Sequence, residues 1–194
     1  MLMIWFTADT HFGHAGILRH QPLRGRWWST TEDMDSDLLD AIHKVVRPED
    51  QIWHLGDFCW HASKAGHYRQ RLPKRVQLHV LRGNHDATSL RRHCSSFQGI
   101  AWKPFDGKRF HLCHYPIWSW RNRVHGSYHL YGHCHGMAEE ELNIARPDRR
   151  AMDVGVDYAY QMFGEWRPFS LSEVCEILSG RDSDVAGLSD RCVT

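Results

Sequence analysis

Apolar residues along this chain come in short runs, each stopping at a polar turn that contains glycine. Residues 3–7 (MIWFT) are apolar and aromatic and lead to Asp9. A run of that length bounded by polar residues predicts a buried strand. Gly13 and Gly16 mark the loop that follows. From Thr31 the period changes: an acidic start (TEDMDSD) leads to Leu38, Leu39, Ile42, Val45 and Val46, with Pro48 beyond. That spacing predicts an amphipathic helix with an acidic first turn. Residues 50–55 (DQIWHL) predict a second strand, ending at Gly56-Asp57. A second helix is expected over about 63–72, before Pro73, and a third strand over 76–81 (VQLHVL), ending at Gly83-Asn84-His85-Asp86.

Strand, polar turn, helix and strand thus alternate, which favours an α/β fold with a parallel sheet. Ligands in such sheets bind at the carboxyl ends of the strands. Asp9, Asp57 and Asn84 all fall there. The second half differs. Residues 109–113, 128–131 and 151–156 are short strand candidates, and helices are scarce until 170–178, where Ser170 or Ser172 would cap one. This half reads as a second sheet facing the first. Residues 1–180 are expected to form one domain, and the Asp/Ser/Gly-rich residues 181–194 a loose tail.

Composition narrows the function classes. The chain has 194 residues, 42% hydrophobic and 24% charged, with a formal net charge of +1. These values describe an ordinary globular protein without the strong basic field of a general nucleic-acid binder. No run of about 18 apolar residues predicts a membrane span. The N-terminus lacks the pattern of a secretory signal, so a cytoplasmic location is expected. The six cysteines show no C-x-x-C spacing and read as reduced thiols. The sixteen histidines change the picture: several are clustered beside carboxylates, which suggests metal binding or acid–base chemistry.

Five short motifs follow strands in order: Asp9-Thr10-His11, Gly56-Asp57, Gly83-Asn84-His85-Asp86, His114, and Gly132-His133-Cys134-His135. In extended backbone, residues i and i+2 face the same side. Asp9 and His11, and likewise His133 and His135, are therefore expected to converge, with Thr10 and Cys134 turned away. The mixture of imidazole nitrogen and carboxylate or amide oxygen suits borderline divalent metals better than calcium. Asp9, His11, Asp57, Asn84, His114, His133 and His135 are too many donors for one closed tetrahedral site, but suit two ions sharing a carboxylate. His114 is preferred to His111 because it stands at a strand end, before Tyr-Pro. His111-x-Cys113-His114 and His133-Cys134-His135 match no common zinc-finger spacing, and a finger would leave the carboxylates unexplained.

The identity and order of these motifs resemble the calcineurin-like metallophosphoesterase superfamily over about residues 3–180. The stretch from Asp9 to His14 (DTHFGH), Met152-Asp-Val-Gly-Val-Asp157, and Pro168-Phe-Ser-Leu-Ser-Glu173 are similar to a small subgroup of it. The resemblance implies a four-layer α/β/β/α sandwich of two mixed sheets, with a dinuclear metal site at the strand carboxyl ends. It implies that Asp9, His11 and His135 hold one ion, that Asn84, His114 and His133 hold the other, and that Asp57 bridges them. Manganese is the metal it favours, with iron, zinc or nickel as alternatives. The implied activity is phosphoester hydrolysis by a hydroxide shared between the ions. His85 would stabilise charge or protonate the leaving oxygen, and Asp86 would orient it.

Around this set, His14 is a candidate for substrate contact, and His54 reads as a packed residue behind the ligands. The cluster from Tyr115 to Arg123 (YPIWSWRNR) offers Tyr115, Arg121 and Arg123 for a substrate cleft, and Arg24, Arg26, Trp27 and Trp28 form a weaker counterpart. The expected partner is a small phosphoester, nucleotide-like or cyclic, handled by a phosphodiesterase or phosphatase. Nucleic acid, handled by a nuclease or end-processing enzyme, is the less favoured alternative. A non-catalytic scaffold would be marked by lost ligands, and none is lost.

Overall fold

The structure, a computed structural model, describes residues 2–181. Strands β1 (Ile4–Thr7), β2 (Gln51–His54), β3 (Gln77–Leu81) and β4 (Ser96–Gln98) pair in parallel, and β9 (Phe169–Ser170) joins β1 antiparallel. The resulting five-stranded sheet has the order β4-β3-β2-β1-β9. A second, four-stranded sheet has the order β5-β6-β7-β8, from β5 (Ile100–Phe105), β6 (Lys108–Cys113), β7 (Tyr128–Tyr131) and β8 (Ala151–Asp153). Here β5 is antiparallel to β6, and the remaining pairs are parallel. Both sheets are mixed, as expected.

Period-two alternation assigns each strand to two cores. Trp5, Ile52, Leu78 and Val80 face the helices on one side of the first sheet. Phe6, Trp53 and Leu81 face the second sheet, where they meet Phe110, Leu112, Tyr128, Leu130 and Met152. The outer core is closed by α3 (Thr31–Val45) and α4 (Ala65–Arg71), with Met34, Leu38, Leu39, Ile42 and Tyr68 buried. Thr30 caps α3 by accepting from the Asp33 amide. Ser170 and Glu173 form a reciprocal capping box on α7 (Leu171–Ser179). On the far side of the second sheet, Trp120, Tyr131 and Ala151 pack with Leu142 of α5 (Glu139–Ala145).

Four segments depart from the sequence expectation. The loop at Gly16 contains two short helices, α1 (Ile17–His20) and α2 (Pro22–Trp27). Strand β8 stops at Asp153, because α6 (Val156–Phe163) begins after Gly155 and buries Val156 and Ala159. The start of α5 is Glu139-Glu140-Glu141, so its signal is charge matched to the helix dipole, not an apolar stripe. Strand β5 pairs with β6 through Asp106-Gly107, both with positive φ, a hairpin turn whose D-G signal is legible in the sequence. Pro104 is tolerated because β5 is an edge strand. Among the described residues no helix is long and apolar enough to cross a membrane. Apart from Arg181, the expected tail lies outside the described residues.

Candidate metal centre

The carboxyl ends of β1, β2, β3, β6 and β7 meet at one place, so both sheets contribute. An isolated parallel bridge, Ala8 with Gly155, joins the two sheets beside it. Asp9, His11, Asp57, Asn84, His85, His114, His133 and His135 all come together there.

Convergence is achieved differently from the extended geometry expected. Asp9, His11, Asp57, His133 and His135 all have φ between 48° and 71°. This left-handed conformation costs non-glycine residues about 1 kcal/mol or more each. It turns the backbone sharply at each strand end, so the side chains of these residues can point inward. Cross-loop hydrogen bonds hold it: Asp9 N to Gly56 O and His11 N to Asp57 O at 2.9 Å each, and His133 N to Asp9 Oδ2 at 2.9 Å. Two glycines are required by space. A Cβ on Gly83 would overlap the Asp57 amide and carboxylate, and one on Gly132 would stand 2.5 Å from both Ala8 Cβ and Asp9 Oδ2.

The donor atoms suit cations. Asp9 Oδ1 and His11 Nε2 are buried without a hydrogen-bond partner, a costly arrangement unless something else satisfies them. Asp9, His11 and His135 form one group of potential ligand atoms lying within 4.8 Å of one another. Asp9, Asp57 and His114 form another. Asp9 is common to both groups, while Asp57 Oδ2 is 3.5 Å from His11 Nε2 and 3.5 Å from His114 Nε2. Of the two carboxylates, Asp57 has the single oxygen equidistant from a histidine of each expected set. Asn84 Oδ1 is 3.0 Å from His114 Nε2 and 3.1 Å from His133 Nδ1, which brings the remaining donors together.

Neighbouring groups fix the histidine tautomers. His114 Nδ1 donates to the Leu55 carbonyl at 2.8 Å, which turns Nε2 to the centre. His135 Nδ1 donates to Asp157 Oδ2 at 2.6 Å. Such outer partners orient metal-binding imidazoles. Asp157 is itself held by Arg24, with Nε and Nη2 at 2.8 and 2.6 Å from its two oxygens. Arg24 also donates to the Asp9 carbonyl at 2.5 Å.

Burial and neighbouring charges shift the pKa values of the groups in the site. Burial pushes the Asp9 carboxyl up to about 6, against the pull of His135 and His114. Burial would lower His114, but its hydrogen bond to Asp57 and the charges of Asp9 and Asp57 raise it to about 9. Burial also acts against the Asp57 anion, yet His114 and the His85 amide hold its pKa below 3.8. His11 is driven well below 6.5, first by burial and then by the charge of Arg24. A bound divalent ion would compete with protons for these groups.

The other sequence candidates separate. His114, and not His111, reaches Asp57; His111 lies beside His129 on the second sheet, 3.4 Å between their Nδ1 atoms. The His85 ring is partly exposed in the cleft, its Nε2 4.0 Å from Asp57 Oδ2. Asp86 does not orient that ring. Its carboxylate accepts from the backbone amides of Gly83, Asp57 and Phe58 at 2.8–2.9 Å, locking two site turns together. His14 does reach the site, with Nδ1 3.3 Å from His11 Nδ1. Tyr115 packs on His114 and His133, with centroids 4.9 and 4.8 Å away. Arg121 and Arg123 are directed elsewhere: Arg121 lies over Trp102, and Arg123 pairs with Asp148 at 3.6 Å. Arg24 is fully buried in its pair with Asp157, Trp27 packs on Tyr160, and Trp28 packs on Trp166. His54 sits behind the expected ligands, 3.0 Å from Thr10 Oγ1. Thr10 is turned away, donating to the Phe58 carbonyl. Sequence reading missed Trp60, Gln21 and the coupling of Arg24 to Asp157. The Asp157 motif was visible, but nothing local indicates a partner 133 residues away.

The calcineurin-like phosphoesterase family profile matches residues 2–174. The chain belongs to this family of metal-dependent phosphoesterases. It is 28% identical over 179 residues to the uncharacterized protein MJ1445 of Methanocaldococcus jannaschii, covering 92% of each chain. It is 27% identical over 187 residues to the Gene 66 protein of Mycobacterium phage L5, covering 79% of this chain and 86% of the relative. The solved structure of AQ665, a protein of unknown function from Aquifex aeolicus, superposes with a TM-score of 0.69. At 24% identity, over 91% of this chain and all of the other, it supports the fold.

Proposed function

We propose that this protein is a dinuclear metal-dependent hydrolase of small phosphoesters. The observation that carries this reading is the pair of overlapping donor groups around Asp9 and Asp57, with buried Asp9 Oδ1 and His11 Nε2 unpartnered. Asp9, His11 and His135 would hold one ion, and Asn84, His114 and His133 the other. Asp57 would be common to both, as its equidistant Oδ2 supports. Manganese is the favoured metal, with iron, zinc or nickel as alternatives. When bound, the ions supply Lewis acidity toward phosphoryl oxygens and lower the pKa of water.

The chain's own groups have distinct tasks. Leu55 O and Asp157 hold the His114 and His135 rings by their Nδ1 protons, so these ligands need no reorganisation. Asp86 keeps the Asp57 and Asn84 turns in register. His85 is the partly exposed imidazole nearest the shared carboxylate. It would donate a proton to the departing alkoxide oxygen or stabilise charge on the phosphoryl group.

The cleft over this centre has a volume of about 310 Å³, at the small end for ligand pockets. That supports a small substrate over a nucleic-acid strand. The test is turnover of generic phosphomonoesters, phosphodiesters and cyclic nucleotides by protein stripped of metal and reloaded with each candidate ion. Hydrolysis restored by one or more ions is expected. No hydrolysis of any substrate with any ion would overturn the reading.

A further inference from the structure

Beyond the proposed ligands and His85, the cleft is lined by His14, Ile17, His20, Gln21 and Trp60. Two features of this lining are informative. First, Trp60 is 40% exposed although it borders a polar centre. It is fixed in place: its amide donates to the Phe12 carbonyl at 3.0 Å, and residues 12 and 59 form a parallel bridge. The His14 ring stacks on the indole with centroids 3.7 Å apart and planes 8° apart. His85 lies at its other contact, 4.8 Å away. With one face covered by His14, the exposed remainder of this indole, held rigid at the rim, is a preorganised surface for a flat ring. Second, among the described residues no lysine or arginine lines this cleft. Arg24, three residues beyond Gln21, is buried and its guanidinium is used by Asp157 and Asp9. Recognition of an extended phosphate chain ordinarily uses several such cations.

We infer that the cleft selects phosphoesters with one phosphoryl group and a planar aromatic substituent, which lies against Trp60. This rests on the phosphoesterase reading and adds the substrate class. The shared chemistry is a flat ring one ester linkage from phosphorus, as in a nucleoside or an aryl ester. Gln21 is the lining amide outside the proposed ligand set, and it would bond the polar edge of a nucleobase but not a phenyl ring. Base–aromatic stacking is worth about 1–3 kcal/mol, roughly 5- to 150-fold in affinity.

The experiment compares kcat/KM of the metal-loaded protein on adenosine monophosphate, phenyl phosphate and glycerol phosphate, and on their methyl diesters, by phosphate release or phosphorus NMR. Adenosine triphosphate is included. The readout is the ratio of ring-bearing to glycerol substrate. This ratio is expected to exceed about 10 in the wild type and to fall about tenfold in Trp60→Leu, with Trp60→Phe restoring most of it. Gln21→Ala should lower the nucleotide rate and leave the phenyl rate in place. A ratio unchanged in Trp60→Leu, with both substrates equally slowed, would make Trp60 only a support for His14 and overturn the inference. So would triphosphate turned over better than monophosphate. Absence of all phosphoester turnover in the wild type would overturn the underlying reading and this one with it.

Discussion

Asp157 stands 2.6 Å from Nδ1 of His135, and its other oxygen is gripped by the fully buried Arg24. This chain of contacts connects α2, α6 and the loops after β1 and β7. Asp157→Asn is expected to weaken metal binding about 10- to 100-fold, the usual effect of removing an outer partner of a ligand histidine. Competition with a chromophoric chelator would measure it. Arg24→Met should cost about 3–5 kcal/mol of stability, because it removes the buried guanidinium that pairs with both Asp157 oxygens and leaves His135 as the remaining partner of that buried charge. Unchanged metal affinity in Asp157→Asn would show that His135 is oriented without it.

His85 and Asp57 should separate chemistry from metal retention. His85→Ala is expected to lower kcat by about 10²–10⁴-fold, the range for a lost proton donor. Its metal content and melting temperature should stay near wild type, since the ring is partly exposed. Asp57→Asn should lose both activity and metal. Metal analysis alongside kinetics distinguishes the two, and full activity in either variant would remove that residue from the mechanism.

Asp86→Ala should act through the backbone. It strands the buried amides of Gly83, Asp57 and Phe58, for a cost of about 3–5 kcal/mol. Urea denaturation would show it as a lower midpoint. A loss of activity without loss of stability would instead favour a direct catalytic role.

Asp50 gives a pH-dependent contribution away from the centre. Burial acts to raise its pKa. The Met3 and Arg47 amides and the Trp5 indole donate to it at 2.9–3.0 Å and hold it below 3.8. A depressed folded-state pKa means stability that is fully present above the unfolded value and lost as pH falls through the folded one. The melting-temperature gap between wild type and Asp50→Asn should therefore be constant above about pH 5 and shrink as pH drops below 3.8. A gap that is independent of pH would exclude an ionised Asp50.

Much of the arrangement is legible locally. The run Trp5-Phe6, the period of Leu38, Leu39 and Ile42, and the Ser170–Glu173 cap each follow from nearest-neighbour chemistry. They appear in the structure close to where the pattern puts them. The elements that escaped reading are those stabilised by distant packing. Helix α6 exists because Val156 and Ala159 face sheet residues far away in the chain, and its sequence overlaps a plausible strand extension. Asp86 illustrates the same limit at the site. The resemblance implied that it orients the His85 ring, whereas the fold brings it the amides of Gly83, Asp57 and Phe58.

The sequence by itself determined the donor chemistry and its order along the chain: Asp9, His11, Asp57, Asn84, His114, His133 and His135, each after a strand. It could do so because the identity of a donor side chain is local and strand periodicity places each motif at an end. Only the tertiary structure decided how those donors converge and what holds them. The left-handed turns at Asp9, Asp57 and His135 and the Arg24–Asp157 pair depend on contacts between segments distant in the chain. The same is true of the exposed Trp60. Its position depends on the stacked His14 ring and on the Phe12 carbonyl that accepts from its amide, beside an open cleft, and no property of residue 60 alone encodes that.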